Sequence, residues 1–260
     1  MSEKIISIAT DFWNIRGDLR LFGFINIGTH CSLVRLSTGK FVLLDAYTLP
    51  PKVKQQVDKL TNNGDDIEAI INLHPFHTLH VENAHEQYPD AKLFGTQRHI
   101  EKFPNLPWQP QLTESTDFAA LYADDFSFSV PKGVDFISSN EHVHFSSVLA
   151  YHKHSKTVHS DDTIMYLEMP LLVTLFKPPQ ITFHITLAKA LQPRAGAADE
   201  FRKWVQQIAV LWSQTENFCA AHSAVIKGSD DKPLSFTGKI LNALKNIEGT
   251  LEKHARKYDQ

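Results

Sequence analysis

Cysteine is scarce in this chain: Cys31 and Cys219 are its only two. Two thiols do not make a disulfide framework. They fit a reducing compartment, each as a small buried hydrophobe. Long apolar runs are missing too. The greasiest stretch, Leu167 to Phe176, is closed by Lys177-Pro178-Pro179 and falls short of the roughly 20 residues that span a bilayer. The net charge of −3 lacks the basic excess of a dedicated nucleic-acid binder. No long apolar segment follows Met1-Ser2-Glu3-Lys4, so no signal-peptide pattern is present and a cytoplasmic protein is expected. No G-x-S-x-G elbow, P-loop or dinucleotide fingerprint occurs, which sets aside serine hydrolases, kinases and Rossmann enzymes. What remains is an ordinary soluble composition, 42% apolar and 21% charged, over 260 residues, enough chain for a substantial core.

Histidine is abundant, at fourteen residues. Position matters more than number. His74-Pro75-Phe76-His77-Thr78-Leu79-His80 directly follows the apolar run Ile67 to Leu73, which reads as a buried strand. Imidazole is the commonest nitrogen ligand for zinc and similar ions. On a helix the 74/77/80 spacing would spread the rings around the axis, so the cluster works better as a loop, and Pro75 agrees.

Periodicity gives the framework. Strands are expected at Ile5–Ala9, Leu21–Ile27, Cys31–Leu36 and Lys40–Ala46, with Ser37-Thr38-Gly39-Lys40 as a hairpin turn. A helix over Lys52–Thr61 carries Val53, Val57 and Leu60 on one face and is capped by Asn62-Asn63-Gly64. After the histidine loop come a short helix, Val81–Gln87, and a strand, Ala91–Phe94. Three prolines in Pro104–Pro110 mark a connector. Strands then recur at Val134–Ile137, His142–Val148, Leu149–His152 and Thr157–His159. A helix over Asp199–Ser213, a short strand Asn217–Ala221 and an amphipathic helix from Leu234 to about Leu251 close the chain. The reading is one domain over 1–260, built of two halves, about 1–110 and 111–260. Each half has strands first and helices after, which implies helices outside and two sheets inside.

Three further polar sites stand at strand ends: His142 and His144 before Ser146–Tyr151, Asp161-Asp162-Thr163 after Thr157-Val158, and His222 after the last short strand. The order of these pieces resembles the metallo-β-lactamase superfamily, from about Leu21 to Ser229. That family has an early strand ending in Asp, H-x-H-x-D-H after a later strand, an isolated His, an Asp in a "GDT"-like turn, and a final His. Here Leu43-Leu44-Asp45, the cluster at 74–80, His142 or His144, Asp162-Thr163 and His222 follow in that order. The resemblance implies a four-layer αββα sandwich of mixed α/β (α+β) class.

The cluster departs from the family motif. With His80 as its last histidine, His77 is the second, Pro75 takes the first place and Leu79 the aspartate's. With His77 last, Asn72 comes first and Phe76 replaces the aspartate. Either register removes a carboxylate that belongs to the family's second metal, and in the first His74 stands one residue from the missing ligand. The turn is altered as well, from Gly-Asp to Asp161-Asp162, which leaves the choice of aspartate open.

The ligand set that the resemblance implies is His74, His77, His80, His144, Asp162 and His222. His142, Asp161 and His159 are supporting or alternative residues. Asp45 has a structural or supporting role. His152, His154 and His159 lie on or beside a hairpin and read as surface residues. His30, His85, His99, His184 and His254 have no motif context. The implied cofactor is zinc or another divalent transition metal, one ion rather than two, with an empty, vestigial site as the alternative. The implied activity is hydrolysis of a small ester, lactone or thioester; the competing reading is a non-catalytic binding module. Neither nucleic acid nor a membrane is an expected partner. Substrate choice is expected in the segments 96–133 and 163–198, where Trp108 and Met165 to Phe176 suit an apolar substrate or a homodimer contact.

Overall fold

The computed structural model describes residues 4–18, 20–21, 25–26, 28–167, 180–221, 225–228 and 235–259. Two sheets dominate. The first has six strands, in the order β1 (Lys4–Ala9), β2 (Phe12–Gly17), β5 (Thr29–Arg35), β6 (Phe41–Leu44), β7 (Ile67–Ile71) and β8 (Lys92–Phe94). The second has five: β15 (Val225–Ile226), β14 (Asn217–Ala220), β11 (Thr157–Ser160), β10 (Leu149–His152) and β9 (Phe126–Ser129). Two short ribbons add β3 (Arg20–Leu21) with β4 (Ile25–Asn26) and β12 (Ile164–Leu167) with β13 (Gln180–Phe183).

Alternation along the strands builds the layers, because successive side chains point to opposite faces. In β6, Val42 and Leu44 turn inward and Leu43 outward. In β7, Ala69 and Ile71 turn inward and Ile70 outward. The inward set meets Val148, Ala150 and Cys219 of the second sheet and forms the central core. The outward set of the first sheet packs on Val53 and Val57 of α1 (Pro51–Leu60) and Ala84 of α2 (Val81–Gln87). On the far side, Leu149, Tyr151, Val158 and Phe218 pack on Phe201, Trp204 and Ile208 of α6 (Ala197–Leu211) and Ile240 of α7 (Phe236–Asn246). Three apolar clusters between four layers are the αββα sandwich. β7 is paired in parallel on both edges, to β6 and β8, and such a strand is covered on both faces.

Most expected elements are present, with shifted ends. Val81–Gln87 and Leu149–His152 fall as expected. Val134–Ile137 is no strand; it contributes one isolated bridge, Val134 to Leu191. Residues 142–148 are no strand either, since the only ladder-like bond from the segment is Val148 N–H to Leu73 O at 2.9 Å. The C-terminal helix breaks at Ile247 into α7 and α8 (Glu248–Tyr258). β2, β9, β12, β13 and β15 were not expected, nor were α3 (Gln97–Lys102), α4 (Thr116–Leu121) and α5 (Leu187–Ala190). The expected strand Leu21–Ile27 and the apolar stretch to Phe176 lie partly outside the described residues, and His222 lies outside them. Both cysteines are free and buried. Among the described residues no helix is long and apolar enough to cross a membrane.

Candidate metal centre

The histidine loop leaves the carboxyl end of β7 and is fixed from three sides. Asn72 donates from backbone and side chain to the Phe94 carbonyl, at 3.0 and 2.9 Å. Leu73 N–H donates to Asp45 Oδ1 at 2.8 Å. Asp45 ends β6 with φ of 64°, a left-handed conformation that Asp tolerates better than most residues. The chain then turns tightly, with His77 N–H donating to His74 O at 3.0 Å. Opposite it, the turn after β11 carries Asp161 and Asp162. Thr163 locks that turn by donating to Phe145 O at 2.8 Å and accepting from Ser147 N–H at 2.8 Å.

These two turns bring histidines and aspartates together in two groups, each with its ligand atoms within 4.8 Å of one another. The outer group is His74, His77 and Asp162. His74 Nε2 and His77 Nε2 stand 3.4 and 3.6 Å from Asp162 Oδ2. The two rings stack with centroids 3.9 Å apart. The inner group is His30, His159 and Asp161. His30 Nε2 is 3.4 Å from Asp161 Oδ1, and His77 Nδ1 reaches the same oxygen at 3.5 Å.

Two ligands of one tetrahedral zinc, with bonds of about 2.0–2.1 Å, stand about 3.4 Å apart. The separations in the outer group match that edge and are long for hydrogen bonds. His74 Nε2 is buried and makes no hydrogen bond among the described residues. The donor set, two imidazoles and a carboxylate, suits a divalent transition metal with positions left open. One contact competes. Phe76 N–H donates to His74 Nδ1 at 3.1 Å, which keeps the proton of the neutral ring on Nε2. Holding an ion at Nε2 would call for the other tautomer, with the ring proton on Nδ1, the nitrogen that now faces Phe76 N–H.

The inner group does not fit an ion in the same way. His159 has both nitrogens engaged: Nδ1 with Ser32 Oγ at 2.9 Å and Nε2 with Asp45 Oδ2 at 2.9 Å. The Asn14 amide nitrogen lies 3.3 Å from the Cys31 carbonyl, 3.0 Å from Ser32 Oγ and 3.1 Å from His30 Nδ1. An amide nitrogen only donates, and this one has two protons for three acceptors; its contact with His30 Nδ1 suits the tautomer with the ring proton on Nε2, facing Asp161.

Charge follows this layout. Burial raises the Asp45 carboxyl, but the His159 hydrogen bond and charge, with the His77 charge and Leu73 N–H, win and hold it down at about 2. Burial, reinforced by Asp45, pushes Asp161 up to about 6. Burial would lower His77, yet Asp161 and Asp162 outweigh it and raise the ring well above its ordinary value. His74 goes the other way, to about 4, through burial and the charge of His77.

The remaining candidates stand apart from both groups. His80 begins α2, where its Nδ1 bonds Thr48 Oγ1 at 2.8 Å and its ring meets the edge of Tyr47. It is not among the ligand atoms of either group. His144 places Nε2 at 2.6 Å from the Glu141 carbonyl and stacks on Phe76, its ring centre 6.1 Å from that of His74. His142 is exposed. Leu79 is 70% exposed. The hairpin expectation needs correction: His152 and His159 are buried, because β10 and β11 lie inside the second sheet between β9 and β14. Trp108 packs with Leu106 on the outer core of the first sheet rather than lining the site. His30 had no motif, yet a signal existed. Asn14 and Arg16 on β2 face Ser32 and His30 on β5 in register, four buried polar residues at alternate positions of two strands. Arg16 donates to the Ala220 and Ala221 carbonyls, which holds the end of β14 beside Asp161.

No protein-family model and no curated protein sequence matches the chain. Solved structures do. The metallo-β-lactamase from Erythrobacter litoralis is 13% identical, covers 93% of this chain and 96% of its own, and gives a TM-score of 0.60. FIM-1 from Pseudomonas aeruginosa, in its mono-zinc form, is 10% identical over 95% and 96%, with a TM-score of 0.59. The Pontibacter korlensis metallo-β-lactamase is 12% identical over 94% and 100%, with a TM-score of 0.57. This chain has the metallo-β-lactamase fold. The outer group lies at the end of β7 and at the turn after β11.

Proposed function

We propose that this metallo-β-lactamase-fold protein is a metal-dependent hydrolase, with one zinc or similar ion held by His74, His77 and Asp162. The observation that carries the reading is the pair of 3.4 and 3.6 Å separations around Asp162 Oδ2. His222 is the proposed further ligand. It follows β14, whose Ala220 pairs with Ser160 of β11, so the chain leaves both strands side by side. A bound zinc ion supplies hydroxide at neutral pH and polarises a carbonyl. The chain's own residues hold and orient it. Asp162 brings the negative charge, His74 the buried side and His77, 27% exposed, the side facing solvent. Phe76, stacked on His144 and under the Arg98 guanidinium at 4.5 Å, forms the rim. The substrate class is a small ester, lactone or thioester.

One observation favours a non-catalytic role instead. Neither Phe76 nor the exposed Leu79 supplies the carboxylate that the family motif places in the cluster. Two measurements separate the readings: elemental analysis of protein purified without a chelating column, and turnover of ester, lactone and thioester panels. About one ion per chain with turnover supports the hydrolase. An ion without turnover supports the binding module, and no ion after growth in metal-supplemented medium overturns the metal reading.

A further inference from the structure

Asp161 is not accounted for by a metal at the outer group. It is 1% exposed, and neither of its oxygens makes a hydrogen bond among the described residues. Burying a carboxylate in that state is costly. Its Oδ1 lies between two rings, 3.5 Å from His77 Nδ1 and 3.4 Å from His30 Nε2. Both contacts are longer than the roughly 2.7–2.9 Å of a formed charge-assisted bond, so the carboxylate stands ready for both rings and is committed to neither.

The direction of the network is set at its far end. Asn14 Nδ2 can only donate, so its contact with His30 Nδ1 favours the tautomer with the His30 proton on Nε2, pointing at Asp161. A second N–H arriving at Asp161 comes from His77 Nδ1. The His77 lone pair then sits on Nε2, the nitrogen that faces Asp162 and shares the outer group with His74. Metal-bound imidazoles commonly donate their second N–H to a carboxylate, which fixes tautomer and ring angle and raises ligand basicity.

We infer that Asp161 is a positioning residue for the metal-binding nitrogen of His77, and that His30, oriented by Asn14, holds Asp161 in that role. The inference rests on the proposed metal site at His74, His77 and Asp162.

The test compares zinc affinity, by competition with a chromophoric chelator, and zinc stoichiometry in the wild type, Asp161→Asn, Asp161→Glu and His30→Gln. Circular dichroism and thermal melts of the metal-free forms control for folding. Asp161→Asn is expected to bind zinc about 10- to 100-fold more weakly, at unchanged stoichiometry. Asp161→Glu is expected to recover part of the loss and His30→Gln to show a smaller one. In the metal-free wild type, ring 15N shifts are expected to report His30 with its proton on Nε2. If Asp161→Asn does not fold, His30→Gln carries the test, since it leaves the carboxylate in place. A folded Asp161→Asn with affinity within twofold of wild type overturns the inference and leaves the metal site standing. A fall from two ions to one also overturns it, because Asp161 is then a ligand of a second ion. A wild type that binds no zinc fails earlier, at the proposed function itself.

Discussion

His159 Nε2 donates a hydrogen bond to the Asp45 carboxylate at 2.9 Å, and this buried pair ties the end of β6 in one sheet to β11 in the other. The same carboxylate accepts Leu73 N–H, so it also anchors the start of the histidine loop. Asp45→Ala is expected to cost on the order of 3–5 kcal/mol, the usual effect of leaving one member of a buried pair alone. Chemical denaturation measures it. The sign with pH follows from a carboxyl held low, at about 2. Its contribution is present above the unfolded value near 4 and is lost as pH falls through the folded one. A change under 1 kcal/mol shows that the bond carries little.

His152 offers a pH effect away from the metal centre. Its ring lies buried among Phe12 and Phe126, with Nδ1 bonded to Ser155 Oγ at 2.8 Å. Burial holds it down at about 4, against the smaller opposing pull of Asp125. The unfolded chain therefore takes up this proton near pH 6.5 while the folded chain refuses it down to about 4. Stability from His152 is full above about pH 6.5 and is lost as pH falls toward 4. In denaturant titrations across that window, His152→Gln is expected to flatten the slope of stability against pH. An unchanged slope means that other groups carry the acid sensitivity.

Leu79 discriminates between the sequence motif and the folded loop. One register of the motif puts it at the family's aspartate, where a restored carboxylate adds a ligand. In the structure its side chain is 70% exposed. Leu79→Asp is therefore expected to change stability by no more than about 0.5 kcal/mol and to leave metal content as it was. A gain of a second ion in Leu79→Asp protein means that the loop closes over the site when it is loaded.

The layers were legible where helical spacing is written in the chain: Val53 and Val57, on one face of the expected helix, are the buried face of α1. His74, His77 and Asp162 were candidates from the sequence because each follows a strand, and the structure brings their ligand atoms within 4.8 Å of one another. The inner network was not legible. Asn14, His30, Ser32 and Asp161 come from β2, β5 and the turn after β11, and only the sheet register and the stacking of the two sheets bring them together. His144 and His80, candidates on the same grounds, fall outside that group. Spacing in the chain says when a histidine arrives at the edge, but the turn at 74–78 and the strandless segment 142–148 decide where its ring points.

Single substitutions across the histidines and Asp162 test that difference directly. His74 and Asp162 both contribute atoms to the outer group, and their separation of 3.4 Å is what an ion would span. Removing either leaves too few donors to hold the ion at one edge, so His74→Ala and Asp162→Ala are expected to fall to a small fraction of wild-type metal content. His80 and His144 are engaged elsewhere, with Thr48 and with the Glu141 carbonyl. His80→Ala loses one exchangeable hydrogen bond, worth about 1 kcal/mol, and His144→Ala loses the stack on Phe76. Both variants are expected to keep wild-type metal content. Elemental analysis after dialysis against a weak chelator reads all four. If His144→Ala loses its metal as completely as His74→Ala, the ring of His144 leaves Phe76 to bind the ion, and the ligand set of the outer group must be enlarged to include it.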